Sequence, residues 1–483
     1  MLPFADLDFR PDPAGKPLYL QLAEALSEAI RGGRIAVGAR LPSERLYAQK
    51  LAVSRTTVTA AYQELKAMGL VRGHVGRGAE VVADDPDHSE VIAWPLLAVR
   101  PARLADAAAV GAISLGDGWL YPSLVPHAAL QACAARVVQD GLGGIAPILG
   151  LTSLRAALVE RFRAGGVKVS ADEVLVTGGA QLGLNVIARA LLAPGDAVVC
   201  ETPTWHGAVR AFRAAGAEVA GVALDREGVD PAALEDALVR RRPKFVYLIP
   251  SFQCPTGRLM GLERRRQVLE ICARFRTPIV ESHVYGDIAF ASAPPSLKAL
   301  DTAGIVIQQG SASKTVSAAL RLGWLVAPPA AMELLAPAKA SLDLSTPALT
   351  QSTLAEFLAS GGYARHLPWL RGELVRRRDA LLAALAEFCP ELRCIVPQGG
   401  LYVWALLPAP LRAAEVEAAA ALEGVSVRGG GAFLPGGCES RHIRLCFAAP
   451  AEGEIAEGAR RLGRALRARR RDPAGSEAAV ASV

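Results

Sequence analysis

No stretch narrows the possible folds as much as Gln309-Gly310-Ser311-Ala312-Ser313-Lys314-Thr315. The apolar run Ile305-Val306-Ile307 ahead of it reads as a buried strand that ends in small residues and delivers one lysine. Seven positions later Arg321 opens a second strand, residues 322–326. A lysine held in a desolvated pocket gives up its proton readily and condenses with an aldehyde. An arginine accompanied by serine hydroxyls suits a phosphate. A surface lysine beside a helix start would leave the same short pattern, so the neighbouring segments decide between the two.

Those neighbours point to a pocket. From residue 113 to 470 apolar strands alternate with amphipathic helices, the pattern of a doubly wound α/β sheet. Such sheets take ligands beyond the carboxyl ends of their strands. Val174-Leu175-Val176 ends at Thr177-Gly178-Gly179-Ala180-Gln181 and runs into a helix, residues 182–192. Glycines at a helix start turn backbone N–H groups toward a phosphate, although a tight strand–helix turn looks the same. Val198-Val199-Cys200 ends near Trp205, and residues 245–249 lead to Cys254-Pro255-Thr256-Gly257. Pro278-Ile279-Val280 ends at Glu281-Ser282-His283-Val284-Tyr285-Gly286-Asp287.

With Ser311, Ser313, Lys314 and Arg321, this set resembles the pyridoxal-phosphate (PLP) enzymes of aminotransferase fold type I. The resemblance implies that Lys314 is the Schiff-base lysine. It places Arg321, Ser311, Ser313, Gly179, Ala180 and Gln181 around the phosphate, with Trp205 stacked on the pyridine ring, although a core tryptophan would read alike. Tyr285 falls where the family touches the ring oxygen. Two positions depart from the family. Cys254 replaces the asparagine that bonds the ring hydroxyl, and a thiol is a poor donor. Ser282 replaces the aspartate that pairs with the pyridine nitrogen, and His283 takes the second acidic place. A buried carboxylate keeps that nitrogen protonated so that the ring withdraws electrons; a serine only hydrogen-bonds a neutral nitrogen. Imine exchange needs no such electron sink, whereas transamination does. Strand alternation makes Asp287 and Glu281 awkward substitutes. Residues 399–404 and 442–447 read as strands of a smaller α+β C-terminal subdomain, in which the resemblance makes Arg444 the grip on a substrate carboxylate; a structural ion pair is the alternative.

The first eighty residues read differently. Leu18, Leu22, Ala25, Leu26, Ala29 and Ile30 share one helical face that Gly32-Gly33 ends. Ser43 caps a second short helix and Ser54 a third, which Gly69 stops. Residues 71–82, with three glycines and Arg77, read as a two-stranded wing. Leu41-Pro42-Ser43-Glu44-Arg45 and Val53-Ser54-Arg55-Thr56-Thr57-Val58 closely resemble the GntR family of bacterial transcription factors, over residues 16–82. The resemblance implies binding of double-stranded DNA through Arg45, Ser54, Arg55, Thr56, Thr57 and Arg77, short polar groups and cations that reach phosphates and base edges. The family's Gly-Thr-Phe near the wing tip is here Gly78-Ala79-Glu80, an acid that works against contact at that edge.

The expected domains are residues 1–82, a connector at 83–112 with one short helix from Ala102, the aminotransferase-like domain at 113–470, and a disordered tail at 471–483. The basic run Arg467, Arg469, Arg470 and Arg471 is assigned with that disorder, and the arginines of a helix at 368–385, begun by Pro368, read as solvated charge. A net charge of +6 over 483 residues permits nucleic acid without arguing for it. Eight scattered cysteines offer neither a zinc pattern nor a disulfide framework, and no metal site is expected. The start lacks a targeting segment and no apolar run approaches ~20 residues, so a soluble cytoplasmic protein is expected. A GntR-type winged helix followed by an aminotransferase-like domain is the arrangement of the MocR family, the GabR-like regulators. That family implies a homodimer, PLP, and a small amine or amino acid effector sensed rather than turned over. The competing readings are a working aminotransferase with a DNA-binding appendage, and a regulator that has abandoned PLP.

Overall fold

Leu22, Leu26, Ala29 and Ile30 recur at helical spacing and are buried along the helix Leu18–Arg31. Ala23 and Ser27 join them inside, while Ala25 lies at the edge. In this computed structural model, residues 9, 16–74, 78–82, 111–141 and 143–471 are described. They fall into two units divided after Asp106, each treated by itself. Arg77, nearly all of the connector and the tail from 472 lie outside the described residues.

In the first unit Ser43 accepts a hydrogen bond from Leu46 N to cap Glu44–Leu51, and Ser54 accepts one from Thr57 N to cap Arg55–Ala67. Ala52 sits between them at a left-handed φ of 53°, which makes the turn tight. Strands β1 (Val71–His74) and β2 (Gly78–Val81) pair antiparallel as the wing. Arg72 stands opposite Glu80 in that ladder and Arg40 bridges Glu80 from the other side, so the acid at the wing is flanked by arginines.

The second unit contains β3 (Ile113–Ser114), β4 (Val174–Thr177), β5 (Ala197–Thr202), β6 (Glu218–Asp225), β7 (Gly228–Val229), β8 (Phe245–Leu248), β9 (Ile279–Ser282), β10 (Val306–Ser311) and β11 (Gly323–Val326). An eight-stranded sheet runs β4-β11-β10-β9-β8-β5-β6-β7. Its centre is parallel; β11 turns back antiparallel between β10 and β4. All four residues of each of β4, β8, β9 and β11 are buried, as expected for strands covered on both faces. Then β12 (Arg393–Ile395), β13 (Tyr402–Leu406), β14 (Val425–Ser426), β15 (Arg428–Gly429) and β16 (His442–Cys446) follow. Four of these make the smaller antiparallel sheet, in the order β12-β13-β16-β15, while β14 pairs with β3.

Three expectations about the C-terminal third need correction. The helix carrying Pro368 spans Gly362–Phe388, so the proline lies inside it. Tertiary contacts hold the extra turn: Tyr363 Oη donates to Asp287 at 2.5 Å and His366 Nε2 meets the Thr315 carbonyl at 2.9 Å. Nor are its arginines all solvated. Arg377 is buried and donates to Pro450 O, and Arg371 Nε reaches Asp287 O. The basic run after Leu466 is likewise the end of an ordered helix, Glu454–Arg471. There Arg467 donates to Phe388 O and Arg469 lies 3.6 Å from Glu415. Positive charge read as solvation had long stems that pack and heads that find carbonyls.

Candidate functional site

The turn between β10 and β11 positions the lysine. Ser311 Oγ accepts from Ser313 N at 3.1 Å and donates to Leu322 O at 3.3 Å, pinning the start of the turn to its far limb. Lys314 follows, half-buried, with Nζ donating to Gly118 O at 2.9 Å and lying 4.4 Å from the centre of the Trp119 ring. Burial, assisted by the charges of Arg444 and Arg321, lowers its pKa from 10.5 to about 8. That brings the amine within reach of its nucleophilic form near neutral pH.

Arg321 adopts a left-handed backbone, φ 49°, which costs a non-glycine residue about 1–2 kcal/mol. The conformation aims its guanidinium at the turn after β4, where Nη2 lies 3.4 Å from Gly178 O. Gly179 makes that approach possible: its φ is +97° and a Cβ there would sit 2.7 Å from Arg321 Nη2. The helix Ala180–Leu191 starts at the same point, and Gln309 Nε2 holds Ala180 O while Gln181 Nε2 donates to Gly207 O at 2.9 Å. Backbone donors, a guanidinium and the Ser313 hydroxyl thus converge as a phosphate requires.

One cavity is lined by Lys314, Arg321, Ser311 and Ser313, by Ala180 and Gln181, and by Trp205, Cys254, Ser282 and Tyr285. Of the expected cofactor contacts, Gly179 stands behind Arg321 instead of on the wall. Trp205 packs at 4.2 Å between ring centres on His206, whose burial pushes its pKa down to about 3 and leaves it neutral. A Cβ at Gly207 would lie 2.3 Å from Trp205 Nε1, so the indole has its place only because that residue is glycine. Tyr285 Oη meets Tyr402 Oη at 3.1 Å. Ser282 is buried and bonds the Tyr247 hydroxyl. The two acids near it are occupied elsewhere. Asp287 pairs with Arg161 and Tyr363, and Glu281 accepts from Leu297 N, Lys298 N and Gln308 Nε2.

Arg444 is buried on β16. It donates to Gly116 O at 2.5 Å and lies 3.6 Å from Cys254 Sγ, between the Tyr402 and Phe433 rings at 4.1 and 4.9 Å. Its Nε has no partner, and among the described residues its terminal nitrogens meet a carbonyl and a thiol, not a carboxylate. A buried guanidinium without an anion is costly, and a ligand carboxylate would relieve it. The motifs missed Gly116, Gly118 and Trp119, which precede the first long strand and carry no periodicity; only the exposed, glycine-flanked tryptophan hinted at them.

In the first unit Arg45, Ser54, Arg55 and Thr56 are exposed and Thr57 partly so. Ser54 Oγ meets the Thr56 and Thr57 hydroxyls at 2.7 Å, so it serves the cap first. Arg55 Nη2 lies 3.4 Å from Glu44, which also accepts from Thr59 Oγ1 at 2.9 Å. Arg45, Arg55 and Lys66 border one groove there. Among the described residues no group of three or more acids, histidines and cysteines could hold a metal, and no helix is long and apolar enough to cross a membrane.

The family model for aminotransferase class I and II matches residues 113–462, and that for bacterial regulatory proteins of the gntR family matches residues 18–81. The uncharacterized HTH-type transcriptional regulator YisV of Bacillus subtilis is 32% identical over 80% of this chain and 84% of its own. The probable rhizopine catabolism regulatory protein MocR of Rhizobium meliloti is 31% identical over 77% of each chain. Among solved structures, LysN, the alpha-aminoadipate aminotransferase of Thermus thermophilus complexed with N-(5'-phosphopyridoxyl)-L-leucine, is 36% identical. It covers 75% of this chain and 93% of its own at a TM-score of 0.71.

Proposed function

This chain belongs to the MocR-type regulators, a GntR-type DNA-binding domain joined to an aminotransferase class I and II domain, and we propose that its second domain senses an amine instead of transforming one. The observation that carries the proposal is a contrast within one cavity. Support for holding PLP comes from a lysine of lowered pKa, a turn at Gly179 and Arg321 suited to a phosphate, and an aromatic wall at Trp205. The residues fit the group. Where the ring nitrogen needs an acid, the cavity offers Ser282, and both nearby carboxylates are tied to other partners. PLP, when bound, supplies an aldehyde for amines and, only if its nitrogen is protonated, an electron sink.

The chain's own residues then do the following. Lys314 supplies an amine that gives up its proton more readily than a solvated lysine. Arg321, Ala180 N–H and Ser313 orient a phosphate. Arg444, buried and lacking an anion, accepts a carboxylate, which favours an amino acid over a simple amine as effector. Ser282 and Cys254 hold weak hydrogen bonds and move no proton. For an effector to switch DNA binding it must favour one arrangement of the protein over another. The DNA contacts proposed for the first unit are Arg45, Arg55, Thr56 and Thr57. We further propose a homodimer, supported by the exposed apolar residues Ile145 and Leu344, whose loops Ser345 Oγ joins through Ala146 O at 3.0 Å.

Visible absorbance tests the sensing reading. The purified protein with added PLP should show an imine band that Lys314→Ala lacks, and added amino acid should shift the band without releasing keto acid. An absent band in the native chain would favour a regulator that has abandoned PLP. Sustained keto acid release would favour a working aminotransferase.

A further inference from the structure

Side chains alternate across a strand, so the carboxyl ends of β9 and β10, with the amino end of the antiparallel β11 beside them, address both faces of the large sheet. Ser282 and Gln309 line the lysine cavity. His283, Gln308, Gly310 and Trp324 line a second cavity, of about 430 Å³, on the opposite face. Ser311, at the end of β10, borders both. Crevices beyond the carboxyl ends of an open α/β sheet are where such folds take ligands, and here the edge has one on each side.

Two observations mark the second cavity. Two glycines keep ring nitrogens in the wall: a Cβ at Gly310 would lie 2.0 Å from Trp324 Nε1, and one at Gly286 would lie 2.0 Å from His283 Nε2. Charge is also unbalanced. Arg161 and Arg371 line the cavity with a single carboxylate, Asp287, between them. Asp287 already binds Arg161 and Tyr363, while Arg371 spends only its Nε, on the Asp287 carbonyl. Two guanidiniums against one carboxylate leave a net positive charge in the cavity wall, the chemistry of an anion site.

We propose that this cavity is a second ligand site, taking a small carboxylate- or phosphate-bearing anion, and that its occupancy biases the lysine turn. The coupling is structural. Arg371 belongs to the helix Gly362–Phe388, whose His366 holds the carbonyl of Thr315, the residue after Lys314, and Ser311 is common to both walls. The site stands independently of whether the lysine cavity holds PLP.

Equilibrium dialysis of the full chain against labelled inorganic phosphate tests it. Arg321→Ala disables the cradle in the lysine cavity, and phosphate should still bind that variant. In that background Arg371→Gln should weaken binding by about tenfold or more. Ala291→Phe, which fills the mouth from an exposed position and removes no hydrogen bond, should do the same. Displacement of the phosphate by acetate would assign the site to carboxylates, and resistance to acetate would assign it to phosphates. Loss of all phosphate binding in Arg321→Ala, or undiminished binding in both cavity variants, overturns the proposal.

Discussion

Lys314→Met should make the PLP-free protein more stable at pH 7. Burial draws the amine from 10.5 to about 8, a gap of about 2.5 units. At about 1.4 kcal/mol per unit, the folded chain bears a penalty of about 3 kcal/mol for holding this proton. The sign follows from where each state loses it. Below pH 8 the folded and unfolded chains are both protonated and the penalty is felt in full. Between 8 and 10.5 the folded chain has released the proton while the unfolded chain keeps it, so the penalty fades; above 10.5 it is gone. The advantage of methionine should therefore fall from about 3 kcal/mol at pH 7 to about 1 at pH 10. The Gly118 carbonyl and the Trp119 ring remain to stabilise the cation, which makes these upper values. Urea unfolding of both chains at the two pH values, followed by near-ultraviolet circular dichroism, measures the difference. A variant no more stable than the parent at pH 7, or an advantage that does not shrink by pH 10, would refute the argument from burial.

Three other outcomes are expected. Arg55→Ala should weaken operator binding by about 1–3 kcal/mol, read by fluorescence anisotropy; unchanged affinity and salt slope would remove Arg55 from the interface. Gly179→Ala forces a methyl to 2.7 Å from Arg321 Nη2 at a φ of +97°, so spectrophotometric titration should show PLP affinity down by about 1–2 kcal/mol while operator binding holds. Arg444→Gln should weaken an amino acid effector by about 2–5 kcal/mol, and an amine lacking a carboxylate much less; equal losses for both would deny Arg444 its proposed role.

Much of the architecture was legible because single residues carry local physics. Ser43 and Ser54 stand where helix starts need acceptors, and both accept. The apolar strands ended where small residues and the lysine began, and residues from five strand ends meet in one cavity. What escaped was set by distance. Gly116, Gly118 and Trp119 reach the cavity from a segment with no repeating pattern, and nothing local marks a carbonyl as the lysine's partner. Arg371 and Arg377 look like solvated charge until the chain folds carbonyls of Asp287 and Pro450 onto them. Pro368 suggested a helix start because one residue cannot reveal that Tyr363 and His366 are already held by contacts far along the chain.

The antiparallel return of β11 has a mechanical consequence. Gly310 faces Trp324 and Ser311 faces Gly323, so the two limbs of the hairpin act as the arms of a calliper whose tips are Lys314 and Arg321. The gap between the covalent handle and the anion handle is thereby gauged by strand register, not by the flexible span joining them. Lengthening that span by one residue would leave the sheet intact and detune the gauge, a lesion visible to cofactor and invisible to stability.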